Sequence, residues 1–158
     1  MNRSIAFASF LVLLLAAAGC GSKSEPQGAG SGSGATAVSP YDGGPRAGDF
    51  PVEPAMAAQG EALFKTKGCT ACHAYGKRIT GPALKGVTQR RTAAWMEQQI
   101  LHPEVMTKQD PISKQLLGTY MVQMSNQGLK PEEAKAVIEY LKKLDEDSSE
   151  TQQAGVGK

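Results

Sequence analysis

The chain is poor in metal-ligating side chains and in net charge. Its 158 residues include three cysteines and two histidines, whereas a structural zinc site usually takes four such ligands in closely spaced pairs. The formal net charge is only +2, and the Arg90-Arg91 pair is isolated, so we expect no binding to nucleic acid. No segment has the alternating pattern of a β-strand. These features disfavour a zinc site and predict an all-α fold.

The most informative run is Cys69-Thr70-Ala71-Cys72-His73. The spacing C-x-x-C-H is the attachment signature of c-type haem. The two thiols add across the haem vinyl groups, and the histidine that follows becomes an axial ligand of the iron. A thioredoxin-like C-x-x-C would need a βαβ context, and a plain disulfide would leave the histidine unexplained. We therefore predict one haem c, bound through Cys69 and Cys72 and ligated by His73.

The N-terminus has the pattern of an export signal. Arg3 supplies a positive start, and residues 5–18 form an apolar stretch that is shorter than the roughly 20 residues of a membrane-spanning helix. The stretch ends in Ala17-Ala18-Gly19-Cys20, which resembles the lipobox of bacterial lipoproteins. This resemblance implies that residues 1–19 are a signal peptide and that Cys20 carries lipid. A plain signal peptide, with a free thiol left at Cys20, is the alternative.

Composition divides the rest of the chain into three parts. Residues 20–53 are rich in Gly, Ser and Pro, which predicts a lipid anchor and a flexible linker. Residues 54–144 are predicted to form one domain, small enough that a covalent haem would supply the centre of its core. The polar residues 145–158 include an acidic patch and are predicted to be a disordered tail.

About four helices are predicted in the folded part. Proline opens the first, over residues 54–67, and Thr92 can cap the second, which ends near residue 101. A third is predicted over residues 112–120. The last begins at Pro131, where two glutamates favour the helix dipole, and carries an apolar stripe to residue 144.

Motifs along this part resemble the class I, monohaem cytochromes c. In order they are Gly60 and Phe64, the Cys69–His73 motif, Gly81-Pro82-Ala83-Leu84, a methionine loop ending in Gly128-Leu129, and Tyr140-Leu141. The resemblance implies a cytochrome c fold, in which the first and last helices cross near the small residue and the aromatic pair. It also implies a distal methionine ligand in the loop before the last helix.

Two methionines lie in that loop. The run from Met124 to Leu129 resembles the family pattern M-P-N-x-x-L, so Met124 is the predicted ligand and Met121 the alternative. Ser125 replaces the family's proline, which predicts a less pre-organised loop and a more labile iron–sulfur bond. His102 is the remaining alternative, although it lies at a helix end.

The resemblance also assigns supporting roles. It implies that the Pro82 carbonyl accepts the Nδ1–H of His73 and fixes the histidine tautomer. The alternative for Gly81-Pro82 is a tight turn only. Trp95 is predicted to pack on a haem edge or to donate its indole N–H to a propionate, with ordinary core packing as the alternative.

With both axial positions filled, the iron has no open site, and His/Met ligation tends to raise its reduction potential. We therefore predict an electron-transfer protein rather than an enzyme. It would be a one-electron carrier in a periplasmic respiratory chain, lipid-anchored to the outer membrane or to the periplasmic side of the inner membrane. The predicted partners are redox proteins, a reductase or an oxidase. They could dock on cations near the haem motif, which are Lys65, Lys67, Lys77, Arg78 and Lys85. A solvated helix surface is the alternative for these charges.

Two other functions stay open on the sequence alone. A labile or five-coordinate haem would suit gas sensing or weak peroxidase activity. A tethered subunit that assembles with a reductase or an oxidase would also use the lipid anchor, because a tether raises local concentration.

Overall fold

The computed structural model describes residues 38–155. The predicted signal peptide, Cys20, most of the predicted linker and residues 156–158 lie outside this part. Its α-helices are α1 (Pro54–Thr66), α2 (Val87–Arg90), α3 (Ala93–Leu101), α4 (Pro103–Gln109), α5 (Pro111–Tyr120) and α6 (Pro131–Gly155). Residues 38–155 contain no β-strand, and an isolated bridge pairs His73 with Arg78. The all-α prediction is confirmed, with six helices instead of about four.

Prolines and side-chain caps set most helix boundaries. Four helices, α1, α4, α5 and α6, begin with proline, whose missing N–H costs nothing in the first turn. The Thr92 hydroxyl accepts the N–H of Trp95 at 3.0 Å and caps α3. Asp110 caps α5 by accepting the N–H of Ser113 at 2.9 Å. The prediction missed α2 and α4 because each has seven residues or fewer, too few for a helical period to show.

Helices α1 and α6 cross at Gly60. A Cβ on Gly60 would lie 1.9 Å from the carbonyl oxygen of Ala136, so only glycine permits this approach. One turn along α1, the rings of Phe64 and Tyr140 pack with centroids 5.6 Å apart and planes inclined by 55°. This crossing near a small residue and an aromatic pair is the arrangement that the family resemblance implied.

The hydrophobic core lies where α1, α3, α4 and α6 meet. Its buried side chains include Phe64, Trp95, Met96, Met106, Val137, Ile138 and Leu141. Several of them also form the wall of the cavity described below. Among residues 38–155, no helix combines the length and the apolar character that crossing a membrane requires.

The folded unit begins before the predicted boundary, so the prediction of a flexible linker is wrong for residues 38–53. The Asp42 carboxylate accepts the N–H of Thr92 at 2.8 Å. It also pairs with Arg46 and Arg91, each at 3.0 Å. Composition could not show this packing, because the partners Arg91 and Thr92 lie 49 and 50 positions away along the chain.

The prediction of a disordered tail is wrong over residues 145–155, because α6 continues to Gly155. Asp145 is only 6% exposed. Its Oδ1 accepts the Tyr75 hydroxyl at 2.8 Å and the Gly86 N–H at 2.6 Å. Its Oδ2 accepts the N–H and the hydroxyl of Thr88 at 3.1 and 2.6 Å. The sequence places Asp145 in an acidic patch typical of a solvated tail, but its carboxylate ties α6 to the segment after the C-x-x-C-H motif.

Candidate functional site

A cavity of about 220 Å³ brings the predicted site residues together. Cys69, Cys72, His73 and Met124 all line it. The rest of its lining is mainly apolar and includes Phe64, Leu84, Val87, Trp95, Ile100 and Leu129. Met121 does not line the cavity, and its side chain is 81% exposed.

The backbone around the C-x-x-C-H motif turns tightly. Gly68 has a φ of +77° at the end of α1, a conformation that favours glycine, and Cys69–Ala71 form a 3-10 turn. The His73 N–H then donates to the Cys69 carbonyl at 2.9 Å. Burial raises the pKa of the Cys69 thiol. The turn places all three motif side chains against one cavity.

The geometry around His73 defines its tautomer. Its Nδ1 lies 3.0 Å from the carbonyl oxygen of Pro82. A carbonyl oxygen only accepts hydrogen bonds, so Nδ1 carries a proton, and in the neutral ring Nε2 then keeps its lone pair. A Cβ on Gly81 would lie 2.7 Å from Cε1 of the ring, so this glycine leaves room for the imidazole. The Gly81-Pro82 segment therefore fixes the orientation of the His73 ring, which is more than a turn requires.

The methionine loop is held to α3 by side chains. The Nδ2 of Asn126 donates to the Leu101 carbonyl at 2.8 Å. The Nε2 of Gln99 lies 3.9 Å from the sulfur of Met124. The prediction of a loosely organised loop rested on Ser125 in place of proline and did not include these two contacts.

Trp95 lines the cavity, but its indole N–H is already bound. Nε1 donates to Oδ1 of Asp110 at 3.1 Å, so the predicted bond to a propionate is wrong. Asp110 is completely buried. Burial alone would raise the pKa of Asp110, but the neighbouring Ser39 side chain and the hydrogen bonds from Ser113 and the indole hold that pKa below its ordinary value. Sequence reasoning missed Asp110, and its position before a helix-opening proline was the available signal.

The predicted docking cations have different surroundings. Lys65 lies 2.7 Å from Glu61 in an exposed pair, and Lys67 lies 3.6 Å from Glu133 in a partly buried pair. Exposed pairs contribute little to stability. The Arg78 guanidinium lies 4.4 Å from the ring centroid of Tyr120. Tyr120 lines the cavity, so Arg78 lies beside the cavity.

The donor set fits a covalently bound haem. Two thiols three positions apart, an imidazole with Nε2 free and a thioether sulfur share one apolar cavity. In the described part of the chain, no three His, Cys, Asp or Glu side chains converge as a site for a bare metal ion.

The comparison with protein families agrees with this chemistry. Residues 57–145 match the family model described as Cytochrome c. The chain belongs to the cytochrome c family. Cytochromes c carry one covalent haem c. They are electron-transfer proteins, although some have enzymatic activity, and membership supports an electron-carrier role for this chain.

Individual relatives of this cytochrome c point the same way. Cytochrome c-551 of Stutzerimonas stutzeri is 49% identical over 43 residues, which is 27% of this chain and 41% of the relative. Cytochrome c-551 of Azotobacter vinelandii is 55% identical over 31 residues, 20% of this chain and 38% of the relative. The chain thus spans less than half the length of these curated relatives.

Solved structures extend the likeness over the folded part. The structure of a cytochrome c from Rhodothermus marinus is 40% identical, with a TM-score of 0.59. The match covers 61% of this chain and 83% of the Rhodothermus marinus chain. An engineered form of that protein, solved bound to a carbene intermediate, is 41% identical with a TM-score of 0.56. That match covers 61% of this chain and 82% of the engineered chain.

Proposed function

We propose that this cytochrome c is a one-electron carrier whose haem is bound through Cys69 and Cys72 and ligated by His73 and Met124. The observation that carries the proposal is that these four side chains line one apolar cavity. When bound, the haem supplies an Fe(III)/Fe(II) couple. The His73 imidazole and the Met124 thioether would both hold the iron, so no coordination position would remain for a substrate.

The surrounding residues have separate tasks in this proposal. The Pro82 carbonyl would accept the Nδ1–H of His73 and leave Nε2 to hold the iron. Apolar side chains such as Val87 and Leu129 exclude water from the cavity. A dry environment disfavours the more highly charged oxidised state and therefore raises the reduction potential.

Spectra of the haem-loaded protein test the proposal. The wild type would be produced in a host with c-type haem maturation, together with Met124→Ala and Met121→Ala. We expect the charge-transfer band of ferric iron–methionine ligation in the wild type and in Met121→Ala, and its loss in Met124→Ala. Absence of the band from the wild type would contradict His/Met ligation. Loss in Met121→Ala alone would contradict the choice of Met124.

We also propose that the protein is exported, anchored through lipid on Cys20, and serves a periplasmic respiratory chain with redox proteins as partners. The C-x-x-C-H motif supports export, because haem is attached to it outside the cytoplasmic membrane, and the N-terminal pattern agrees independently. Replacing Cys20 by serine is expected to release the protein from the membrane fraction. Retention of Cys20→Ser in that fraction would contradict the lipid anchor.

A further inference from the structure

We propose that Gln99 positions the sulfur of Met124, and that a hydrogen-bond relay from the buried Asp110 carboxylate holds Gln99 in place. The inference rests on the proposed ligation by Met124. It assigns a role to three polar side chains that the electron-carrier function does not by itself require, Gln99, Asp110 and Ser113.

The relay begins at the junction of α3 and α5. Oδ1 of Asp110 accepts the Ser113 N–H at 2.9 Å and the Trp95 indole N–H at 3.1 Å. Asp110 is 0% exposed and Ser113 is 1% exposed. A buried carboxylate with two N–H donors on one oxygen fixes the first turn of α5 against α3.

Ser113 passes this constraint to Gln99. Its hydroxyl donates to Oε1 of Gln99 at 2.6 Å. Because the amide oxygen is engaged there, the NH₂ group of the same amide is directed away from Ser113. That group lies 3.9 Å from the Met124 sulfur. The relay therefore runs from α5 through α3 to the methionine loop.

The last contact has two chemical consequences. A thioether sulfur is a weak acceptor, and a donor on one of its lone pairs leaves another free for the iron. This contact restrains a side chain that otherwise has three rotatable bonds. An N–H donor also withdraws electron density from the sulfur, which favours the reduced iron and raises the potential. Gln99 thus both retains the ligand and tunes it.

Competition with imidazole measures the first consequence. The ferric protein would be titrated with imidazole as wild type, Gln99→Leu and Gln98→Leu. Gln98 is the neighbour of Gln99 on α3 and is absent from the cavity lining, so it is the matched control. Loss of one weak hydrogen bond is expected to raise the apparent imidazole affinity of Gln99→Leu about two- to fivefold, whereas Gln98→Leu stays at the wild-type value.

The reduction potential of the same variants measures the second consequence. We expect the potential to fall in Gln99→Leu and to stay unchanged in Gln98→Leu. A purely structural role for Gln99 would lower stability and leave the potential where it is. Ser113→Ala keeps the amide but removes its anchor, so both readouts should move in the same direction by a smaller amount.

The outcomes separate this inference from the proposed function. If the wild type shows the iron–methionine band but Gln99→Leu matches Gln98→Leu in imidazole affinity and in potential, the relay is overturned while His/Met ligation stands. If the wild type lacks the band, the ligation proposal fails and the relay fails with it. If Gln99→Leu does not take up haem, Ser113→Ala decides, and wild-type values in both readouts overturn the relay.

Discussion

Replacing Asp145 by asparagine tests whether α6 is anchored as the structure has it. In Asp145→Asn one carboxylate oxygen becomes an NH₂ group, which cannot accept. At the Oδ1 position it would face the Gly86 N–H, and at the Oδ2 position it would face the Thr88 N–H. In either orientation one backbone N–H loses its acceptor, either the partly buried one of Gly86 or the buried one of Thr88.

The magnitude follows from these contacts. A hydrogen bond to a charged group contributes about 1.5–3 kcal/mol, and the remaining bonds weaken when the charge is removed. We expect the free energy of unfolding to fall by about 2–4 kcal/mol. For a domain of this size such a loss lowers Tm by roughly 10 °C or more.

The assay is urea unfolding of the haem-loaded protein, followed by circular dichroism, with Asp147→Asn as the control. Asp147 lies two positions further on α6, is 54% exposed and pairs with Lys143. Its replacement is expected to cost less than about 1 kcal/mol, as for other exposed ion pairs. Equal stability of Asp145→Asn and Asp147→Asn would refute the reasoning and would show that Asp145 behaves as a solvent-exposed residue.

Three further predictions concern packing, pH and the methionine loop. Gly60→Ala should lower the free energy of unfolding by about 1–3 kcal/mol, because the added Cβ meets the Ala136 carbonyl. The control Gly118→Ala, whose Cβ meets no other atom, should raise the free energy of unfolding by about 0.5–1 kcal/mol. Equal stabilities of the two variants in urea would be evidence against the helix crossing. The pKa of Asp110 is lowered in the fold, so its contribution to stability is present above its unfolded pKa of about 4 and is lost as the pH falls through its lower folded value. In unfolding measurements from pH 7 to 2, the stability advantage of the wild type over Asp110→Asn should therefore shrink below about pH 4. A difference that stays constant with pH would contradict the lowered pKa. Asn126→Ala should raise the apparent imidazole affinity about two- to tenfold by releasing the methionine loop from α3. An unchanged titration would show that the bond from Asn126 to the Leu101 carbonyl does not hold Met124 in place.

The parts of the site that are local in sequence could be predicted. The C-x-x-C-H spacing is a property of five consecutive residues. The predicted distal ligand lies in a loop with its own short pattern, and the structure places Met124, not Met121, in the cavity. Gly60 and Tyr140 were also recognisable, because a family motif marks both sides of the α1–α6 crossing.

The parts held by distant partners could not be predicted. Asp145 binds groups 57 to 70 positions away, so its local sequence shows only an acidic patch. Asp42 likewise reaches Thr92, 50 positions away, from a segment whose composition suggests a linker. Gln99 on α3 looks like a solvent-facing glutamine until Ser113 and Met124 are seen beside it. For Asp145, Asp42 and Gln99, the contacts of the polar side chain are tertiary, and sequence periodicity and composition do not show such contacts.

Exposure of the reduced, haem-loaded protein to carbon monoxide tests the central claim most directly. If His73 and Met124 occupy both axial positions, the ferrous spectrum should stay unchanged under carbon monoxide at neutral pH. Rapid formation of a carbon monoxide complex would show that the iron is open or weakly ligated. That result would contradict the electron-carrier account and favour gas binding or catalysis.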